Sequence, residues 1–141
     1  MLIANSQEGQ ALDWAKSGGL LPAIVQDAFD GRVLMQAYMN PEALSHTLES
    51  GAVTFWSRSR EALWTKGETS GNHLRLVAVH ADCDNDCLLV LAHPEGPTCH
   101  RQTDTCFDEN GPTGPQLAFL AALERLVGQR DAERPEDSYT T

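Results

Sequence analysis

Residues 24–39 read IVQDAFDGRVLMQAYM. Two apolar runs, IVQDAF and RVLMQAYM, flank Asp30-Gly31, and Asp-Gly between apolar runs signals a two-residue β-hairpin turn, whose central residues need positive φ. The stretch therefore sets two antiparallel strands at the head of a β-rich domain. NPEALSHTLESG follows. Asn40 can cap a helix, Pro41 suits its first position, Leu44 and Leu48 share a face, and Gly51 can end it, which predicts a helix from Pro41 to Ser50.

Outward from there the pattern stays short and mostly extended. Ala52 to Ser57, AVTFWS, reads as a strand, and SRSREALWTKGETSGN as a long polar connection. LRLVAVHAD alternates apolar residues from Leu74 to Val79, and Leu88 to Ala92, LLVLA, has the composition of a buried strand. HPEGPTCHRQTDTCF is too rich in Pro, Gly and polar residues to be regular and reads as a functional loop. DENGPTGP is linker-like. QLAFLAALERLVGQR predicts an amphipathic helix with Leu117, Leu120, Ala121, Leu123 and Val127 apolar, and DAERPEDSYTT a disordered tail. Several short strands with one or two helices make a β-rich fold of the α+β kind.

Composition sets the outer limits. The chain has 141 residues, 41% of them hydrophobic, and a net charge of −10. That length suits about one domain, and no apolar run approaches the roughly 18 residues of a membrane span. The acidic balance argues against general nucleic-acid binding, because phosphate contacts need a basic surface. A small anionic ligand is compatible with it, since Arg58, Arg60 and Lys66 are gathered although the chain holds only ten Lys plus Arg; a solvated hairpin is the bland alternative. The N-terminus carries no secretory pattern, so the expected compartment is the cytoplasm. Four cysteines then read as metal or catalytic groups rather than two disulfides.

DCDNDC, Asp82 to Cys87, concentrates such groups. An EF-hand loop starting at Asp82 would need Gly at Cys87 and Glu at His93, so that reading fails. If the preceding strand continues, Asp82, Asp84 and Asp86 face one way, and Cys83, Asn85 and Cys87 the other. Three carboxylates suit a hard cation such as Mg²⁺, and a thiolate suits Zn²⁺; an acidic turn is the alternative. Cys99 and Cys106 lie in the irregular loop, with His100 beside the first. Cys83, Cys99 and Cys106 plus a water would make an open, catalytic site, while Cys87 as a fourth thiolate would make a closed, structural one. Three thiolates blunt the acidity of a bound water, so a nearby base and a second cation are wanted, and His100 and the carboxylate site are at hand. His46, His73, His80 and His93 read as surface or core histidines. Trp56 suits core packing, whereas Trp64 could equally stack on a base.

Together LMQAYMNPEAL, TFWSRSREALWTKGETSGN, DCDNDC before LLV, and GPTCH followed by CF resemble phosphoribosyl-AMP cyclohydrolase of histidine biosynthesis. The resemblance covers about Leu12 to Phe107. It implies a β pseudo-barrel capped by a short helix, in an intertwined homodimer. It implies zinc-dependent hydrolytic opening of the adenine ring of 1-(5-phosphoribosyl)-AMP at N1–C6, giving the formimino-aminoimidazole carboxamide ribotide ProFAR. It implies Mg²⁺ on Asp82, Asp84 and Asp86, and Zn²⁺ on Cys83 of one subunit with Cys99 and Cys106 of the other. His100 is then expected to transfer protons, and Arg58, Lys66, Thr69 and Ser70 to hold phosphates, with Trp64 against the base. No nucleic-acid or membrane partner is expected. Two positions depart from the family pattern. Cys87 replaces a small residue and reads as a bystander, and Arg101-Gln102 replaces a glycine-containing pair. The tail resembles the start of a phosphoribosyl-ATP pyrophosphohydrolase domain, as in bifunctional enzymes. The expected division is thus a cyclohydrolase domain at 1–107, a linker at 108–115, and a truncated start of the second domain at 116–141, with no pyrophosphohydrolase activity.

Overall fold

A computed structural model describes residues 1–107 and 117–133. The linker expected at 108–115 and most of the expected disordered tail lie outside these residues. Strands β1 (Leu21–Asp27) and β2 (Val33–Met39) form the expected antiparallel hairpin, with Leu21 opposite Met39 and Val25 opposite Met35. Its turn is longer than the sequence predicts. The Asp27 N–H donates to the Arg32 carbonyl at 2.8 Å, leaving residues 28–31 as the loop. The cause is a carboxylate: Asp27 Oδ1 accepts the N–H groups of Phe29 and Asp30, at 2.8 and 3.3 Å. Side-chain capture of backbone donors stabilises a wider loop than Asp-Gly alone would make, and Gly31 supplies the left-handed residue at φ 78°.

Strand β6 (Leu88–Pro94) lies parallel to β1, pairing Ala23 with Leu88 and Val25 with Val90, and antiparallel to β5 (Leu74–Ala81). The sheet order is β2-β1-β6-β5. On β1 the side chains of Leu21, Ala23 and Val25 alternate into the core, and Leu88, Val90 and Ala92 of β6 do the same. This period-two burial is what makes one sheet face apolar.

Strands β3 (Thr54–Ser57) and β4 (Ala62–Thr65) make a second, two-stranded sheet. Its second strand corrects the long polar connection read from the sequence. Phe55 pairs with Trp64, and their rings pack with centroids 5.7 Å apart. A four-residue strand holds too few apolar residues for periodicity to reveal it; cross-strand packing decides it. The sheets meet where Gly51 and Val53 hydrogen-bond Leu76 and Leu74, at 2.8 and 3.0 Å. Among the described residues the two sheets form no closed barrel.

Helix α1 (Ser6–Gln10) is capped by Asn5, and a single 3₁₀ turn covers Ala15–Ser17. Helix α2 (Pro41–Ser50) has the expected ends: Asn40 Oδ1 accepts the Ala43 N–H at 2.8 Å, and Gly51 stands at φ 73°. It buries Ala43, Leu44 and Thr47 over the core, where Phe55, Leu34, Met39 and Leu74 are inaccessible. Helix α3 (Leu117–Glu133) covers the predicted helical segment from Leu117 onward and runs on through Asp131, Ala132 and Glu133, which corrects the start of the tail expected to be disordered. Its Phe119, Leu120, Leu123 and Val127 are exposed, while Arg125 lies over the Phe29 ring at 5.8 Å. No helix among the described residues is long and apolar enough to cross a membrane.

Candidate functional site

Two groups of chemically active side chains emerge from this frame. The first surrounds a cavity of about 290 Å³ between the segment following β4 and the irregular loop after β6. On the first wall the Lys66 N–H donates to the Val53 carbonyl at 3.0 Å, which prolongs the β4 ladder and sets Trp64 and Lys66 two residues apart, on one face. The chain then turns at Gly67, φ 86°, where a Cβ would stand 2.5 Å from the Asn72 backbone. Only glycine fits there. The turn brings Thr69 and Ser70 to the cavity.

The opposite wall holds Thr98, Cys99, His100 and Cys106. The loop is knotted by its own backbone: Cys99 N–H to Thr103 O at 3.1 Å and Gln102 N–H to Cys99 O at 3.0 Å, with Gln102 at φ 66°. Arg32 ties it to the β1–β2 turn through Asp30 and Asp104, at 2.8 and 3.3 Å. The two thiols diverge in acidity. Cys99 is held below the ordinary thiol range, first by the Arg101 N–H and then by Thr103 and Cys106. Cys106 is pushed up by desolvation and by Cys99, with Lys66 opposing. Two sulfurs that cannot both ionise cheaply are a pair that a soft cation would reconcile.

Three further groups complete the wall chemistry. His100 is exposed, its Nδ1 3.9 Å from the Cys99 sulfur. Lys66 is 9% exposed, and no carboxylate pairs with it among the described residues. Thr98 is 2% exposed and its hydroxyl has no hydrogen-bond partner, which is costly unless a ligand satisfies it. Sequence reading missed Thr98, because nothing in a Pro-Thr-Cys run says which way a hydroxyl points.

The second group is the β5–β6 connection. DCDNDC does not continue the strand. Asp82 N–H donates to Cys87 O at 3.0 Å, Asp82 Oδ1 accepts from Asp86 and Cys87 N–H at 2.9 and 3.1 Å, and Asn85 turns through φ 62°. The expected two-sided extended strip is therefore a tight turn, made by a carboxylate that captures backbone donors and an Asn that tolerates the left-handed region. The turn still gathers the aspartates: one oxygen each from Asp82, Asp84 and Asp86 lie within 4.8 Å of one another. Lys16 reaches in from the N-terminal segment, its Nζ 2.7 Å from Asp84 and 2.5 Å from Asp86. That contact holds the Asp84 carboxyl below its usual range. No local signal could have found Lys16, which lies far upstream of the turn.

Other expected residues fall outside both groups. Cys83 is exposed on the turn and does not come together with Cys99 and Cys106 among the described residues. Cys87 is half-buried, its thiol pushed up by burial and by the flanking carboxylates. Arg58 is exposed and stacks over Tyr38 at 4.1 Å, outside the cavity lining. His46 bonds Thr54 Oγ1 at 3.1 Å and His73 the Gly71 carbonyl at 3.1 Å, in keeping with structural roles.

Comparison with known proteins covers most of this chain. The family profile of phosphoribosyl-AMP cyclohydrolase matches residues 35–108. The histidine biosynthesis bifunctional protein HisIE of Escherichia coli K12 is 58% identical over 138 residues, spanning 98% of this chain and 66% of that protein. Its counterpart in Salmonella typhimurium LT2 is 55% identical over the same shares. That of Xanthomonas campestris is 58% identical over 93% of this chain and 61% of the relative. The chain thus spans less than two thirds of the length of these curated relatives.

Proposed function

Because the chain belongs to the phosphoribosyl-AMP cyclohydrolase family, we propose that it opens the adenine ring of 1-(5-phosphoribosyl)-AMP by hydrolysis at N1–C6, giving ProFAR, in histidine biosynthesis. The observation that carries this reading is the cavity that sets Cys99, His100 and Cys106 opposite Trp64, Lys66, Thr69 and Ser70. It joins soft metal donors and a titratable imidazole to a cationic, hydroxyl-rich wall suited to a phosphorylated nucleoside.

The donor sets fit two metals of different character. Cys99 and Cys106 would hold Zn²⁺ with Cys83, and Asp82, Asp84 and Asp86 would hold Mg²⁺. Zinc, when bound, supplies a Lewis acid that favours deprotonation of a water for attack at C6. His100 takes that proton and returns it to N1 as the N1–C6 bond breaks, so one water is consumed and the carboxamide forms at C6. Lys66, Thr69 and Ser70 hold phosphate oxygens, and the Trp64 ring stacks against the base. The ribosylated purine ring is cationic, so C6 is electrophilic before the water arrives.

Cys83 stands apart from Cys99 and Cys106 within one chain, which supports a homodimer in which a second copy supplies it. The rival reading is a non-catalytic module with a four-thiolate zinc site. The position of Cys87 weighs against it, since proteins that this chain resembles usually carry a small residue there, which cannot ligate a metal. Residues 116–141 we assign to the start of a second domain of the pyrophosphohydrolase kind.

The test is an absorbance assay with phosphoribosyl-AMP after chelation, then with Zn²⁺ and Mg²⁺ restored singly and together. Turnover should vanish on chelation and return with the metals. Absence of turnover under every metal condition sinks the enzymatic reading, and release of ammonia would redirect it to a purine deaminase.

A further inference from the structure

The contact between Lys16 and the three-aspartate turn is a built one. Lys16 sits in the 3₁₀ turn Ala15–Ser17. Just before it, Trp14 is 9% exposed and its indole N–H donates to the Gly9 carbonyl at 2.8 Å, which fixes the segment to α1. The Asp13 N–H donates to the Asn85 carbonyl at 2.9 Å, so the segment is also bonded to the turn that carries the aspartates. From that anchored base the ammonium reaches Asp84 and Asp86 together.

The energetics of such an arrangement are those of competition. Asp82 is engaged with the backbone N–H groups of Asp86 and Cys87, so its neighbours Asp84 and Asp86 hold the freest oxygens. Those are the oxygens the ammonium uses. A divalent ion drawing on the same carboxylates must displace the ammonium or share the carboxylates with it, and two cations around one small cluster repel each other. The lysine side chain can yield: it is half exposed, 49%, and its four-carbon stem is flexible.

We propose that Lys16 is an internal competitor for the three-aspartate cluster, setting its affinity for divalent cations and swinging out when one binds. The proposal rests on the Mg²⁺ reading of Asp82, Asp84 and Asp86. Lys16 thereby keeps the carboxylates gathered before metal arrives and weakens their hold once it does.

Calorimetric titration of the full chain with Mg²⁺, and separately with Mn²⁺, tests this in wild type, Lys16→Met and Lys16→Arg. Lys16→Met should bind about fivefold more tightly, equivalent to about 1 kcal/mol, while Lys16→Arg stays within about twofold of wild type. A second readout uses the chain's own composition, since Lys16 and Lys66 are its only lysines. Pulse acetylation resolved by mass should label Lys16 faster once Mg²⁺ saturates the protein. Unchanged or weaker binding in Lys16→Met, or a Lys16 labelling rate indifferent to Mg²⁺, overturns the competitor role and leaves the Mg²⁺ reading standing. No heat with either metal in any variant overturns both.

Discussion

The Cys106 amide donates to the carbonyl of Leu34, across 2.8 Å. Leu34 is a fully buried residue of β2, so one end of the loop carrying both thiols is pinned to the main sheet. The other end leaves β6 directly. Cys99 and Cys106 are thereby held at fixed points facing Lys66, and the cavity between them owes its shape to the core beneath.

Replacing Cys99 with Ser should strip zinc and leave the fold intact, since Cys99 lies in a loop and outside the apolar core. Loss of an outer partner of a metal ligand already costs about 10–100-fold, so activity should fall by at least about a hundredfold. Metal content by mass spectrometry, alongside circular dichroism and the ring-opening assay, decides it. Full zinc occupancy in the variant would remove Cys99 from the ligand set.

Cys87→Ala separates the catalytic reading from the structural one. Zinc content and turnover should both remain within about twofold of wild type, because the open site needs only three thiolates and a water, and Cys87 is not one of the three. A drop in bound zinc would instead favour four thiolates.

The metal-free protein should lose stability on the alkaline side, in part through Cys106. Its thiol is pushed above the ordinary value of 9.0, so the folded state holds that proton more tightly than the unfolded chain. The resulting stabilisation is complete below the unfolded pKa and disappears as pH rises through the folded one. Urea midpoints measured from pH 7 upward should therefore fall less steeply above about pH 9 in Cys106→Ala than in wild type. Parallel curves would contradict this.

Gly67→Ala attacks the cavity through the backbone. The position combines φ 86° with a Cβ that would sit 2.5 Å from Asn72, so the 67–72 turn must shift. A cost of about 1–3 kcal/mol in stability is expected, with KM raised more than kcat falls, because Thr69 and Ser70 are displaced and the thiols are untouched. An unchanged KM would detach the turn from substrate binding.

How far the chain could be read ahead of its structure follows from the range of the forces involved. Helix Pro41–Ser50 was legible to the residue because Asn40, Pro41 and Gly51 act on neighbours within one turn. The β1–β2 hairpin was legible for the same reason, except that the Asp27 carboxylate, invisible to a turn rule, widened its loop. Strand β4 escaped because its reason to exist is Trp64 packing on Phe55, not any pattern of its own. DCDNDC announced three neighbouring carboxylates, and alternation along a strand was the wrong route to their meeting: a turn at Asn85 gathers them.

Composition, charge and local motifs by themselves determined the fold class, the capped helix and the residue types on which the proposed chemistry depends. Tertiary structure alone decided that β6 lies parallel to β1, that Cys99 and Cys106 confront Lys66 across one cavity, and that Lys16 reaches Asp84 and Asp86. Each of these joins segments distant in sequence. Such contacts form only after loop-closure entropy has been overcome by burial of the core, and no short stretch of residues encodes that balance.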